Sequence, residues 1–168
     1  MKIRTFFVVL ILLSGTFVKA SGDLSNAEAV FIYNFLRHVE WPAGSSGSNF
    51  VIGVYGNSQT YNQLVQFTSN RKVGTKSIEI RKISSIAEVS DCQVVFVPVN
   101  QISKITEMKR LIGSKACLIV GEKEGSNKQG SIIEFVIQDN RLKFRVDENN
   151  AKQHNLMVSK TLLDMSIE

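Results

Sequence analysis

Over residues 25–40 the apolar positions Ala29, Ile32, Tyr33, Leu36 and Val39 recur at helical spacing. Ser25-Asn26-Ala27-Glu28 in front of them has the form of a capping box, with the Ser hydroxyl accepting from the backbone three residues on and the Glu reaching back. Pro42 cannot continue a helix and biases Trp41 away from helical angles, so this helix is predicted to stop near Glu40. A small polar loop over 44–48 follows. Phe50–Tyr55 is a short apolar run, read as a buried strand, and Gly56-Asn57-Ser58 turns the chain. Residues 59–68, with Tyr61, Leu64, Val65 and Phe67, suit an amphipathic helix. Lys72–Ser77 reads as a polar turn around Gly74, Ile78, Ile80 and Ile83 as a second strand, and Ser85–Val89 as one helical turn.

Cys92–Val97 is apolar enough to be a third strand covered on both faces. Ile102, Ile105, Met108, Leu111 and Ile112 form a helical stripe over 101–112, ended by Gly113. Ala116–Val120 is a fourth strand. Strand–helix–strand repeated in this way implies parallel pairing with right-handed crossovers. The pattern then changes to alternation. Ser131–Gln138 and Arg141–Val146 flank Asp139-Asn140 and read as an antiparallel hairpin. Residues 148–154 and Lys160–Met165 read as short helices. The fold class is α/β: a single-domain sandwich, a mostly parallel central sheet with helices on both faces and a C-terminal antiparallel hairpin.

Residues 1–20 stand apart. Lys2 and Arg4 precede the unbroken apolar run Phe6–Leu13, and Val18-Lys19-Ala20 offers small residues to a signal peptidase. This is the pattern of a secretory signal peptide, cleaved near Ala20 to leave 21–168 as one domain. The apolar core is short for a membrane span. Of the 168 residues, 43% are hydrophobic, with ten Phe, which suits one domain with a sizeable core. Removing Lys2, Arg4 and Lys19 lowers Lys+Arg from 20 to 17 against 15 Asp+Glu, so the net charge falls from +5 to +2. Without a basic cluster the chain does not read as a nucleic-acid binder.

Catalytic chemistry has few carriers. The two histidines, His38 and His154, belong to no metal-ligand pattern, and there is no G-x-S-x-G, Walker loop or G-x-G-x-x-G. The chain is read as a non-enzyme with no cofactor, no metal and no catalytic residue. In an open α/β sheet, ligands sit beyond the carboxyl ends of the strands. The turns at Gly56 and Pro98 and the loop Gly121-Glu122-Lys123-Glu124-Gly125 converge there. Gly56, Gly121, Glu122 and Glu124 are the ligand-loop candidates, the alternative being a solvated loop with a required Gly at each end. Cys92 and Cys117 either form a disulfide, as an oxidising compartment permits, or are two buried thiols. One helix cannot hide Tyr33, Phe35 and Arg37 behind a single apolar stripe, so part of that set is expected at the surface as a partner contact.

The stretch A-V-F-I-Y-N-F-L-R-H-V-E-W-P over 29–42 resembles the opening helix of the YfiR/HmsC-like periplasmic proteins. The likeness continues through 50–56, 92–97, 118–122, 130–135 and the closing S-K-T-L-L-D-M. It departs at Ser126, where relatives often carry an aromatic, and in having only two cysteines. The resemblance implies an exported periplasmic homodimer that represses an inner-membrane signalling protein, such as a diguanylate cyclase or sensor kinase, through that protein's periplasmic region. It implies partner-binding roles for Tyr33, Asn34, Phe35, Arg37, Trp41 and Pro42. The other reading is a small-molecule-binding module that uses the crevice at the strand ends.

Overall fold

A computed structural model describes residues 21–168; the signal-peptide reading falls on residues outside that range. Helix α1 (Ser21–His38) leads into a two-residue strand β1 (Val39–Glu40). Then come β2 (Asn49–Tyr55), α2 (Gln59–Thr68), β3 (Lys72–Val73) and β4 (Lys76–Ile83). A 3-10 segment (Ile86–Asp91) leads to β5 (Val94–Val97). A second (Val99–Lys104) runs into α3 (Ile105–Ile112), followed by β6 (Leu118–Gly121). The hairpin β7 (Ile133–Gln138) and β8 (Arg141–Val146) precedes α4 (Glu148–Gln153), β9 (Met157–Val158) and α5 (Lys160–Met165).

Seven strands form one mixed sheet in the order β3-β4-β2-β5-β6-β7-β8. The five strands β4 to β7 of that order pair in parallel, and the two edges are antiparallel. Chain order reverses between β2 and β5, since β4 lies on one side of β2 and every later parallel strand on the other. Side-chain alternation divides the core in two. Phe50, Ile52 and Val54 of β2, with Val94 and Phe96 of β5, pack under α1, α2 and α5. Val51, Tyr55, Val95 and Val97 pack under α3 and the 3-10 segments. The expected α/β sandwich with helices on both faces is therefore the fold observed.

Three expectations are corrected. Ser25-Asn26-Ala27-Glu28 is not a capping box but lies inside α1, where Ser25 donates to the Gly22 carbonyl at 3.3 Å and Glu28 is buried. The helix stops at His38, two residues before the expected end, because Val39 and Glu40 pair with Val158 and Met157. This β1–β9 ribbon ties α1 to the last segment of the chain. The polar turn around Gly74 carries a strand, since Lys72 and Val73 pair with Ser77 and Lys76. The hairpin turn is as read: Asp139 and Asn140 both take positive φ, 52° and 57°, the geometry that matches the twist of two-residue hairpins.

Candidate functional site

The carboxyl ends of β2, β5 and β6 open onto a crevice of about 290 Å³ at the point where the strand order reverses. Leu24 and Glu28 of α1, Ser58 and Thr60 at the start of α2, Asn100 and Glu122 line it. The turn after β2 needs Gly56, whose φ is +70°, and its N–H donates to Ile83 O at 2.8 Å, tying β2 to β4. Ser58 caps α2 by accepting from the Thr60 N–H at 3.2 Å. After β6, a Cβ at Gly121 would collide with the Ser126 side chain, so the 121–126 loop closes tightly only on glycine.

Two carboxyl groups face each other in this crevice. Glu28 is 1% exposed, and its Oε2 accepts from the Thr60 hydroxyl at 2.6 Å. Glu122, half-buried, accepts from the Val99 N–H at 2.5 Å. Burial pushes the Glu28 carboxyl up to about 8; the Thr60 hydrogen bond opposes this and neighbouring Glu122 adds to it. Burial likewise raises Glu122. No Lys, Arg or His is among the residues lining the crevice, so the pair is relieved by holding a proton between two acids. A neutral Glu28 is then a hydrogen-bond donor at neutral pH. The crevice suits a ligand with a cationic or acceptor group and disfavours an anion.

Three of the four ligand-loop candidates meet here: Gly56 and Gly121 shape the two turns, and Glu122 faces the crevice. Glu124 does not take part. It is exposed and pairs with Arg145 Nη1 at 2.6 Å, on the hairpin side. Glu28, which sequence reasoning assigned to a cap, belongs to the site. Its signal was present: it lies four residues before Ile32 and seven before Phe35, on the buried stripe.

The six motif positions of the first helix and its exit divide three ways. Phe35 is fully buried and is no contact residue. It packs on Phe135 and Phe144 at ring distances of 5.9 and 5.0 Å. Trp41 stacks edge-on to Phe50 at 5.0 Å and donates from Nε1 to Gln93 O at 3.3 Å, at the amino end of the sheet, with exposed Pro42 beside it. Tyr33 and Asn34 are half-buried and Arg37 is exposed, so this part of the set reaches the surface as expected. Cys92 and Cys117 are buried free thiols, without the disulfide considered above. Burial raises both, Cys92 to about 11 and Cys117 further still, which makes neither a ready nucleophile. Among the described residues no three His, Cys, Asp or Glu side chains gather as a metal-holding group.

The fold is a doubly wound α/β domain with two facing acids at its switch point and a separate helix surface carrying Tyr33 and Arg37. A family model described as YfiR/HmsC-like, a domain of unknown function, matches residues 25–167, and the chain belongs to that family. No curated protein matches it. The family is one of periplasmic regulators. No helix among the described residues is long and apolar enough to cross a membrane.

Proposed function

We propose that this protein is exported to the periplasm, dimerises, and binds the periplasmic region of an inner-membrane signalling protein, such as a diguanylate cyclase or sensor kinase, to repress it. Family membership over 25–167 is the observation that carries this reading. The exposed Arg37 beside half-buried Tyr33 on α1 supports a partner contact there. Capture of membrane proteins by the mature chain, with identification of what is held, tests it. A signalling protein is expected, and Arg37→Ala weakens its capture while shifting stability by no more than about 0.5 kcal/mol. Capture of no signalling protein, or undiminished capture by a folded Arg37→Ala variant, counts against the reading. N-terminal sequencing of exported material is expected to begin at or near Ser21.

The crevice at the strand ends supports a second reading, a small-molecule-binding module, on the single observation of Glu28 facing Glu122. Mass spectrometry of ligand released from protein purified under native conditions distinguishes it. A recovered metabolite whose retention is lost in Glu122→Ala favours this reading.

A further inference from the structure

The second half of α1 and the chain from α2 into the start of β4 share a one-sided charge. Residues 29–38 hold Arg37 and no Asp or Glu, and residues 57–78 hold Arg71, Lys72 and Lys76 and no Asp or Glu. With one base in the first segment and three in the second, the two carry +4, whereas residues 21–168 together carry +2, so the remainder is −2. Lys76 is occupied by Ser46 and the Gly47 carbonyl. Arg37, Arg71 and Lys72 are exposed, and none forms an ion pair among the described residues.

Arg71 is held in place before any partner arrives. Its Nε donates to Phe67 O at 2.9 Å. Its guanidinium carbon lies 4.2 Å from the Phe67 ring centroid and 5.0 Å from that of Tyr33. Those two rings meet edge-on at 5.6 Å, across the contact between α1 and α2. Contact with two rings and one backbone bond restrains the guanidinium and uses only Nε. The two terminal nitrogens remain as a planar fork, the geometry that takes a carboxylate through two parallel hydrogen bonds. A side chain already ordered loses little entropy on docking. Arg37 stands one turn beyond Tyr33 on the same helix side.

We infer that Tyr33, Arg37, Phe67 and Arg71 form the docking surface for an acidic segment of a partner protein, with a carboxylate seated on Arg71. The assignment rests on the reading of the protein as a partner-binding regulator and names the chemistry of the partner's contact. A membrane surface is the less fitting occupant. Tyr33 and Phe67 are half-buried between the two helices, not projecting apolar residues of the kind that enter a bilayer.

The test titrates the mature chain with a hexaglutamate peptide, a hexalysine control and phosphatidylglycerol vesicles. Binding is read from the Arg71 Nε–Hε and Tyr33 ring resonances. The hexaglutamate peptide is expected to shift both saturably. Arg71→Ala is expected to weaken it about tenfold, and Arg71→Lys to recover only part of that because it keeps the charge without the fork. Lys160→Ala, an exposed cation on α5, leaves binding unchanged. Should Arg71→Ala lower the thermal midpoint, Arg71→Gln carries the comparison. Equal binding by the Arg71 variants, shifts spread over all surface cations, or binding to vesicles but not to peptide would overturn the assignment. In the membrane-capture experiment, a signalling protein held equally by wild type and Arg71→Ala sinks the surface and leaves the regulatory reading standing. Peptide binding centred on Arg71 with no signalling protein captured supports the surface and sinks that reading.

Discussion

At Glu28 a carboxyl group occupies a buried place on α1 ahead of the apolar Ile32 and Phe35, and its chemistry follows from that burial. A carboxyl that ordinarily titrates near 4.5 does so at about 8 in the folded chain. Between those values the folded chain holds a proton that the unfolded chain has lost. The stabilisation is complete below about 4.5, declines as pH rises and is gone above about 8, so wild-type stability falls with rising pH across this window. Glu28→Gln, neutral at every pH, is expected to flatten that fall and to be the more stable of the two at pH 9, as read by denaturant unfolding across the range. Phe35 and Arg37, two positions apart on the same helix, make the opposite kind of pair. Phe35→Ala removes a ring from the cluster with Phe135 and Phe144 and is expected to cost about 3–5 kcal/mol, visible as a lower unfolding midpoint. Arg37→Ala stays within about 0.5 kcal/mol because its side chain leads outward. The sequence pattern did not separate these two residues, since a helical wheel shows which side is apolar but not how wide the covering sheet is.

The hairpin element shows how strongly local chemistry can specify structure. Alternation in Phe135–Ile137 and Leu142–Val146, on either side of the two-residue turn Asp139-Asn140, set the register, and Phe135 pairs with Phe144 as that register requires. Asn140 holds a left-handed φ of 57° that glycine adopts without steric cost. Asn140→Gly is therefore expected to stabilise the protein by about 0.5 kcal/mol, seen as a small rise in the thermal midpoint. Long elements with a clear period, α1 to α3 and the four core strands, were legible for the same reason. What was not legible has physical causes. Ser-x-x-Glu looks identical at a helix start and inside one, so Glu28 was read as a cap. The two-residue strands β1, β3 and β9 have no period to detect; only their distant partners define them. Residues 99–104 read as the start of the α3 helix but are 3-10, a distinction the apolar spacing of Ile102 and Ile105 does not make. Of the candidate site, Glu122 and the two glycines followed from the rule about strand ends. Arg71 did not, since its stacking depends on two rings from different helices.

Across the whole molecule, the exit of α1 is held against the closing segment of the described chain. His38 O accepts from the Ser159 N–H at 2.8 Å, β1 pairs with β9, and Leu162 of α5 is fully buried in the same core as α1. Ser159 caps α5 by accepting from the Leu162 N–H at 3.2 Å. Leu162→Ala is expected to cost about 2–5 kcal/mol, and the loss should register at α1 as well, as faster amide exchange near Val39. The Ile167 N–H reaches Phe144 O at 3.0 Å, so the closing residues also cover part of the edge of β8. A further consequence of the ribbon between residues 39–40 and 157–158 concerns the order of events in time. A chain made from its first residue onward can cover much of the α1 stripe with α2, β2 and β5 as they emerge, but its exit strand stays unpaired until β9 has been made. Contacts between segments so far apart in sequence close slowly. The ribbon thus closes only after residues 157–158 have been made, long after α1 itself.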